Sequence, residues 1–365
     1  MKITIFGLTI SSSWGNGHAT PYRAIMKGLC HDGHEVHFYE KDVPYYARHR
    51  DFSGSPHCEL QLYSDWESVR ASALACAAES DAVICSSFCP EGARIVDDVL
   101  DVGRPKKVFY DLDTPVTLGA LERGGIEYLH REQIPEFDLY LSFTGGGTLD
   151  ELTSRWSAQL ALPLYGCVDP DVHVRRSVPP EYRCDLSYMG TYAADRQDKL
   201  EQLFLEPARH ASQKTFVLAG SMYPWEWQWP ANVKRFEHVS PADHSALYSS
   251  SRLTLNITRK EMERWGYCPS GRFFEAAACG TPIVTDWFDG LDSFFDPERE
   301  LLVANSTEDV LSALELPDSE LTQIAQRARE RTLAEHTGEH RARELVAAIE
   351  QAASASHSRA RSEVA

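Results

Sequence analysis

Two series of short apolar runs alternating with helical stretches, divided by a proline-rich segment, constrain the fold of this chain more than any other feature. In the first series the runs are Ile3–Leu8, Glu35–Tyr39, Glu59–Tyr63, Ala82–Ser86, Lys107–Asp111 and Leu139–Phe143, with helical patterns over Pro21–Cys30, Trp66–Ala78, Glu91–Leu100 and Thr148–Ser157. Such alternation predicts βα units in a mostly parallel sheet. Runs such as Ala82-Val83-Ile84-Cys85 lack an inside/outside period, as expected when helices cover both faces. From Leu162 to Pro180 the chain is proline-rich and irregular, and the rhythm then restarts with Leu186–Gly190, Thr215–Ala219, Val233–Val239, Leu253–Thr258, Pro282–Thr285 and Leu301–Ala304. Helices are expected from Glu320 to about Ala352, and a frayed end at Ser354–Ser358. The expected division is residues 1–168, residues 169–338, and a C-terminal helix with a flexible tail over 339–365. A length of 365 residues agrees with two cores better than with one. Ligands on doubly wound sheets bind at the C-terminal ends of the strands.

Composition narrows the function classes. Hydrophobic residues make up 43% and charged residues 25%, an ordinary globular balance. A formal net charge of −18 disfavours nucleic acid as the main partner, because phosphate binding needs clustered Lys and Arg. The N-terminus opens directly on an apolar run without a basic leader, and no apolar stretch approaches ~20 residues. A cytoplasmic protein without an integral membrane segment is therefore expected. The nine cysteines are irregularly spaced and show no zinc pattern, so reduced thiols and no metal are expected.

Three constellations could carry chemistry. Trp14-Gly15-Asn16-Gly17-His18-Ala19-Thr20-Pro21 follows the first strand and opens the first helix. Gly15, Asn16 and Gly17 allow close backbone approach to a ligand, and His18 is either a helix cap or a general base. Tyr110-Asp111-Leu112-Asp113-Thr114-Pro115 ends a central strand. At most one of Asp111 and Asp113 is expected to face the ligand edge. Asp111 is favoured for supporting His18, and Asp113 is open to an Asx turn before Pro115. In the third, Cys268–Pro282, Ser270 is a good N-cap and Gly280 a fitting C-terminal glycine. Ser270 and Gly271 would present N–H groups at a positive helix end, with Arg272 as a fixed charge, all suited to a diphosphate. Glu275 lies one turn further on; it either accepts ribose hydroxyls or pairs with Arg272 on the surface. Gly190, Thr191 and Arg196, then Gly220 and Ser221, then Thr258 and Arg259 follow successive strands of the same half and converge on that edge. Trp225, Trp227 and Trp229 either stack on a ligand or pack a loop.

At these residues the chain resembles glycosyltransferases of the GT-B architecture, in which two Rossmann-like doubly wound domains face a central cleft. It is most similar to the spore-maturation CgeB-like group, whose C-terminal part belongs with the group 1 glycosyltransferases. The motifs are Tyr110–Thr117 (YDLDTPVT), Leu139–Gly146 (LYLSFTGG), Leu255–Arg259 (LNITR) and Pro269–Pro282 (PSGRFFEAAACGTP). The resemblance implies a nucleotide-sugar donor in the C-terminal domain, with Glu275 on the ribose, Ser270–Arg272 on the diphosphate, and no metal or other cofactor. Gly17–Pro21 resembles the GHxxP element of inverting enzymes, in which the His deprotonates the acceptor and a later Asp supports it. Retaining enzymes often carry a Glu eight positions before the ribose Glu, where this chain has Tyr267, which favours inversion.

The resulting expectation is sugar transfer from a nucleoside diphosphate to an acceptor hydroxyl on a small molecule, polysaccharide or protein. A nucleotide-sugar epimerase and a catalytically silent sugar- or coat-binding protein of the same fold are the alternatives.

Overall fold

A computed structural model describes residues 1–363 apart from 55, 225 and 298, with side chains described up to residue 355. The chain divides into two compact units, Met1–Cys167 with Gly338–Ala365, and Val168–Thr337.

The first unit is built on a seven-stranded sheet in the order β3-β2-β1-β4-β5-β6-β7. Its strands are β1 (Lys2–Gly7), β2 (Glu35–Lys41), β3 (Glu59–Tyr63), β4 (Ala82–Ser86), β5 (Lys106–Asp111), β6 (Leu139–Ser142) and β7 (Ala161–Pro163). Every neighbouring pair is parallel. All five residues of β4 are buried, which explains its unbroken apolar run. Helices fill the crossovers: Ala19–His31, Trp66–Glu79, Gly92–Leu100, Thr114–Glu122 and Gly147–Ser154. Asp65 starts the second of these by accepting the Ser68 N–H at 3.1 Å.

The C-terminal helix Gly338–Glu363 belongs to this unit. Ala342, Leu345, Ala348, Ile349 and Ala352 join Ile25, Met26 and Leu29 in one core. Glycine makes the approach possible: a Cβ on Gly338 would stand 2.2 Å from the Ala24 carbonyl oxygen. The helix also continues through Ser354–Ser358, where the sequence suggested a frayed end. Residues 364 and 365 of the expected tail lie outside the described residues, as does Trp225.

The second unit repeats the plan with six parallel strands, β8 (Cys184–Met189), β9 (Phe216–Ala219), β10 (Val233–Phe236), β11 (Ser251–Asn256), β12 (Ile283–Thr285) and β13 (Leu302–Val303). Their order is β10-β9-β8-β11-β12-β13. Both sheets therefore reverse winding direction once, between β1 and β4 in one and between β8 and β11 in the other. Loops diverge at such a point and leave room for a ligand beyond the strand ends. Trp227 and Trp229 pack against the core of this unit, and Arg235 lies over the Trp229 ring at 4.4 Å, which favours loop packing for the described part of that segment.

Candidate functional site

In the first unit, the turn after β1 is held from below by Glu40, the buried penultimate residue of β2. Its carboxylate accepts the N–H groups of Ile10 and Ser11 at 2.8 and 2.9 Å and the Thr9 hydroxyl at 2.7 Å. Asn16 is also consumed by the turn. Its amide donates to the carbonyls of Thr9 and Ser12, and its oxygen accepts the His18 N–H at 3.0 Å. Gly15 adopts φ +59 and lies beside the Tyr45 hydroxyl. Gly17 faces open space, since nothing would lie within 4 Å of a Cβ there. Asn16 is thus a scaffold of the loop, and Gly17 its accessible edge.

These constraints deliver His18 to the N-cap position of Ala19–His31, where its side chain makes no capping bond. Nε2 lies 3.2 Å from Oδ2 of Asp113, and Nδ1 is buried without a hydrogen-bond partner. Asp113 likewise precedes a helix, Thr114–Glu122, without capping it by its side chain. The cap and Asx-turn readings of the two residues therefore give way to a His–Asp pair.

The acid in that pair is Asp113, not the favoured Asp111. Asp111 is fully buried and already engaged, accepting the Tyr140 hydroxyl at 2.7 Å, the Thr117 hydroxyl at 2.9 Å and the Asp113 N–H at 3.1 Å. Burial raises its pKa to about 6, against the lowering effect of those three donors. Strand alternation would put residues two apart on the same face; the two acids separate because β5 ends at Asp111, which is buried, and the chain turns into the next helix at Asp113.

In the second unit, Ser270 caps the helix Gly271–Ala278 by accepting the Arg272 N–H at 3.4 Å. Arg272 does not pair with Glu275. Its Nε donates to the Ser270 hydroxyl at 3.1 Å and its Nη1 to the Met189 carbonyl at the end of β8. Glu275 instead faces His244, with Oε2 3.9 Å from Nδ1, and burial lowers the pKa of that histidine. The space beside Gly271 is open, with the Glu275 carboxylate 3.9 Å from where a Cβ would stand.

Arg196 is 7% exposed and has no carboxylate partner among the described residues. One guanidinium nitrogen donates to the Thr191 carbonyl at 2.5 Å, while Nε is buried and unpaired. Burial lowers its pKa, and the charges of Arg272 and Arg259 lower it further. Arg196 at the Thr191 carbonyl and Arg272 at the Met189 carbonyl stand at the end of the same strand, β8. Arg259 is tempered by Asp195, 3.1 Å from its Nε. A buried cation without a counter-charge is costly unless an anion completes it.

Other expected donor contacts serve the scaffold. A Cβ on Gly220 would stand 2.0 Å from the Gly190 carbonyl oxygen, and one on Gly190 would stand 2.7 Å from Arg272 Nη1. Both glycines thus allow strand ends and Arg272 to close up. Beyond them the Ser221 carbonyl accepts the Tyr192 N–H at 2.9 Å. Thr258 gives its N–H and hydroxyl to Asp286, each at 3.0 Å, and Lys199 neutralises Asp286 at 2.6 Å. Tyr267, at the position weighed for stereochemistry, adopts φ +47 and donates its N–H to the Asp289 carbonyl at 2.6 Å. Asp286 and Glu40 were missed by sequence reading, though each is an acid directly ending an apolar strand run. Among the described residues no group of His, Cys, Asp and Glu is arranged to hold a metal ion.

Residues 196–347 match a family model described as glycosyl transferase-like. That glycosyl transferase-like stretch contains Arg196, Arg259 and the whole Ser270–Glu275 turn. No curated protein matches the chain. Solved structures share the architecture across nearly the full length. An alpha-glucosyltransferase in complex with UDP is 13% identical, with 96% of this chain and 100% of that one covered and a TM-score of 0.73. Sucrose-phosphate synthase from Thermosynechococcus elongatus is 13% identical over 97% and 100% of the two chains, with a TM-score of 0.66. HepE from Anabaena, in complex with UDP and glucose, is 11% identical over 96% and 100%, with a TM-score of 0.64. The fold is therefore that of the GT-B glycosyltransferases, α/β with two parallel sheets and interleaved helices. No helix among the described residues is long and apolar enough to cross a membrane.

Proposed function

We propose that the protein transfers a sugar from a nucleoside-diphosphate donor to an acceptor hydroxyl, without a metal ion. The observation that carries this reading is Arg196, a buried guanidinium with no carboxylate partner among the described residues, held at the Thr191 carbonyl while Arg272 at the Gly271–Ala278 helix N-terminus holds that of Met189. The leaving diphosphate is where negative charge develops, and fixed cations there stabilise the transition state most. Glu275, beside the open face of Gly271, accepts the ribose hydroxyls. UDP in the alpha-glucosyltransferase and HepE complexes supports a nucleotide of this kind.

His18 acts on the acceptor. Asp113 orients the imidazole through Nε2 and supports the imidazolium that forms when His18 takes the acceptor's proton. The acceptor oxygen forms the new bond to the anomeric carbon as its proton passes to the His18 imidazole. The bond from that carbon to the diphosphate oxygen breaks, and its electrons leave with the diphosphate. The dyad favours inversion at the anomeric carbon. The motifs YDLDTPVT and LNITR support the narrower placement with CgeB-like proteins. The net charge of −18 argues against a nucleic-acid acceptor, although one alpha-glucosyltransferase of similar fold was solved with UDP and a 13-mer DNA.

The test is a panel of nucleotide sugars and acceptors, run in EDTA and followed by free nucleoside diphosphate and product mass. A glycosylated acceptor formed in EDTA is expected. A dependence on added divalent metal contradicts the arginine assignment. An epimerised donor with no acceptor product contradicts transfer.

A further inference from the structure

Phe88, in the loop after β4, is an oddity that the His–Asp pair does not account for. It adopts φ +62, a left-handed backbone that bulky L-residues avoid, and is 37% exposed. Its ring meets the His18 ring edge-on, with centroids 5.4 Å apart, and rests on Tyr128 at 5.0 Å. The loop is locked from both sides. The Ser87 N–H donates to the Tyr110 carbonyl at 3.1 Å, and Ser87 Oγ accepts the Leu112 N–H at 3.0 Å. Three residues on, Glu91 is also left-handed, at φ +60, with Lys41 2.7 Å from its carboxylate. Strain maintained by that many contacts concentrates at sites of function. β4 is also the strand that borders the reversal of winding, where a ligand fits.

We propose that Phe88 is the platform for the acceptor, and that the acceptor is a neutral sugar ring stacked on it. The inference rests on His18 as the acceptor's base. An exposed aromatic face beside a base requires a partner with an apolar face and a hydroxyl at its edge. A purely apolar ring would cover the partly exposed Asp113 carboxylate without satisfying it. An anionic acceptor would meet that carboxylate as a like charge. A pyranoside satisfies both, with C–H groups on the ring of Phe88 and hydroxyls towards His18 and Asp113.

The experiment titrates neutral methyl pyranosides, methyl glucuronide and phenol into the wild type, Phe88→Gly, Phe88→Asn and Phe88→Tyr. Glycine and asparagine tolerate the left-handed backbone, so both should fold, with thermal midpoints at or above wild type. A neutral pyranoside should bind the wild type, weaken roughly five- to tenfold in the Gly and Asn variants, and recover with Tyr. Absence of pyranoside binding to the wild type, equal binding to all variants, or preference for phenol or glucuronide overturns the proposal. Lowered midpoints in both the Gly and Asn variants overturn it too, since Phe88 would then be holding the fold. UDP titrated into the same samples separates the two claims. Phe88-dependent pyranoside binding without UDP binding keeps the platform and removes the transferase reading, and the reverse pattern removes only the platform.

Discussion

Asp111 and Asp113 stand at the end of one strand and do different work. Asp113 is the partly exposed partner of His18, and Asp111 ties Tyr140, Thr117 and the turn together. His18→Ala should lower kcat by ~10²–10⁴-fold with donor affinity retained, the usual contribution of a general base. Asp113→Asn should lower kcat more than Asp111→Asn, because Asn cannot support a developing imidazolium. Steady-state kinetics at saturating donor decides the order, and a larger loss for Asp111→Asn would return the role to the buried acid. Asp111 has its own signature. Its folded pKa of about 6 exceeds the ordinary 3.8, so the folded state holds the proton more tightly than the unfolded state. Its contribution to stability is fully present below pH ~4 and is lost as pH rises through ~6, by on the order of 3 kcal/mol. Asparagine does not titrate, so urea unfolding should show Asp111→Asn gaining on wild type by about that amount between pH 4 and pH 7. A pH-independent difference would mean that Asp111 is ionised throughout.

The elements that place these side chains were legible where local chemistry decides and hidden where distant contacts decide. Continuous apolar runs marked β4 and β6, whose residues are buried on both faces, while β3 showed instead as the alternation Glu59-Leu60-Gln61-Leu62 of an edge strand with one exposed face. The sequence places Leu162 and Pro163 in an irregular connection rather than in β7, since three residues with a proline are tolerated only at a sheet edge, and edge position is set by pairing with β6. Ser270 was visible as a cap because capping is a local hydrogen bond. The sequence narrows the partner of His18 to Asp111 or Asp113, but the choice between them was hidden, since the contact spans 95 positions and depends on where β5 ends. Phe88 left no signal, because the residue before it is tied to Tyr110 and Leu112 of another segment, contacts that the local sequence does not encode. Glycines show the same divide. Gly338→Ala should cost ~1–3 kcal/mol in urea unfolding, since the new methyl meets the Ala24 backbone, whereas Gly17→Ala, facing open space, should be near neutral. Equal effects of the two would contradict the packing of Gly338–Glu363 on the first helix.

The whole molecule consists of two sheets of the same winding, with the last helix returned to the first unit. Val168–Thr337 has its own core and all the residues assigned to the donor, so expressed alone it should fold and keep UDP affinity. A fragment ending at Thr337 should unfold its first unit, because Ile25 and Leu29 lose the cover of Leu345 and Ile349. The central claim is that the buried Arg196, with Arg272 and Arg259, holds the donor's diphosphate, and calorimetry of UDP and uridine against wild type and Arg196→Met tests it directly. In EDTA, the wild type should bind UDP well above uridine. Arg196→Met should lose ~1.5–3 kcal/mol for UDP, the worth of a hydrogen bond between charged groups, and almost nothing for uridine. Equal losses for both ligands, or UDP binding unchanged by the substitution, would contradict the account.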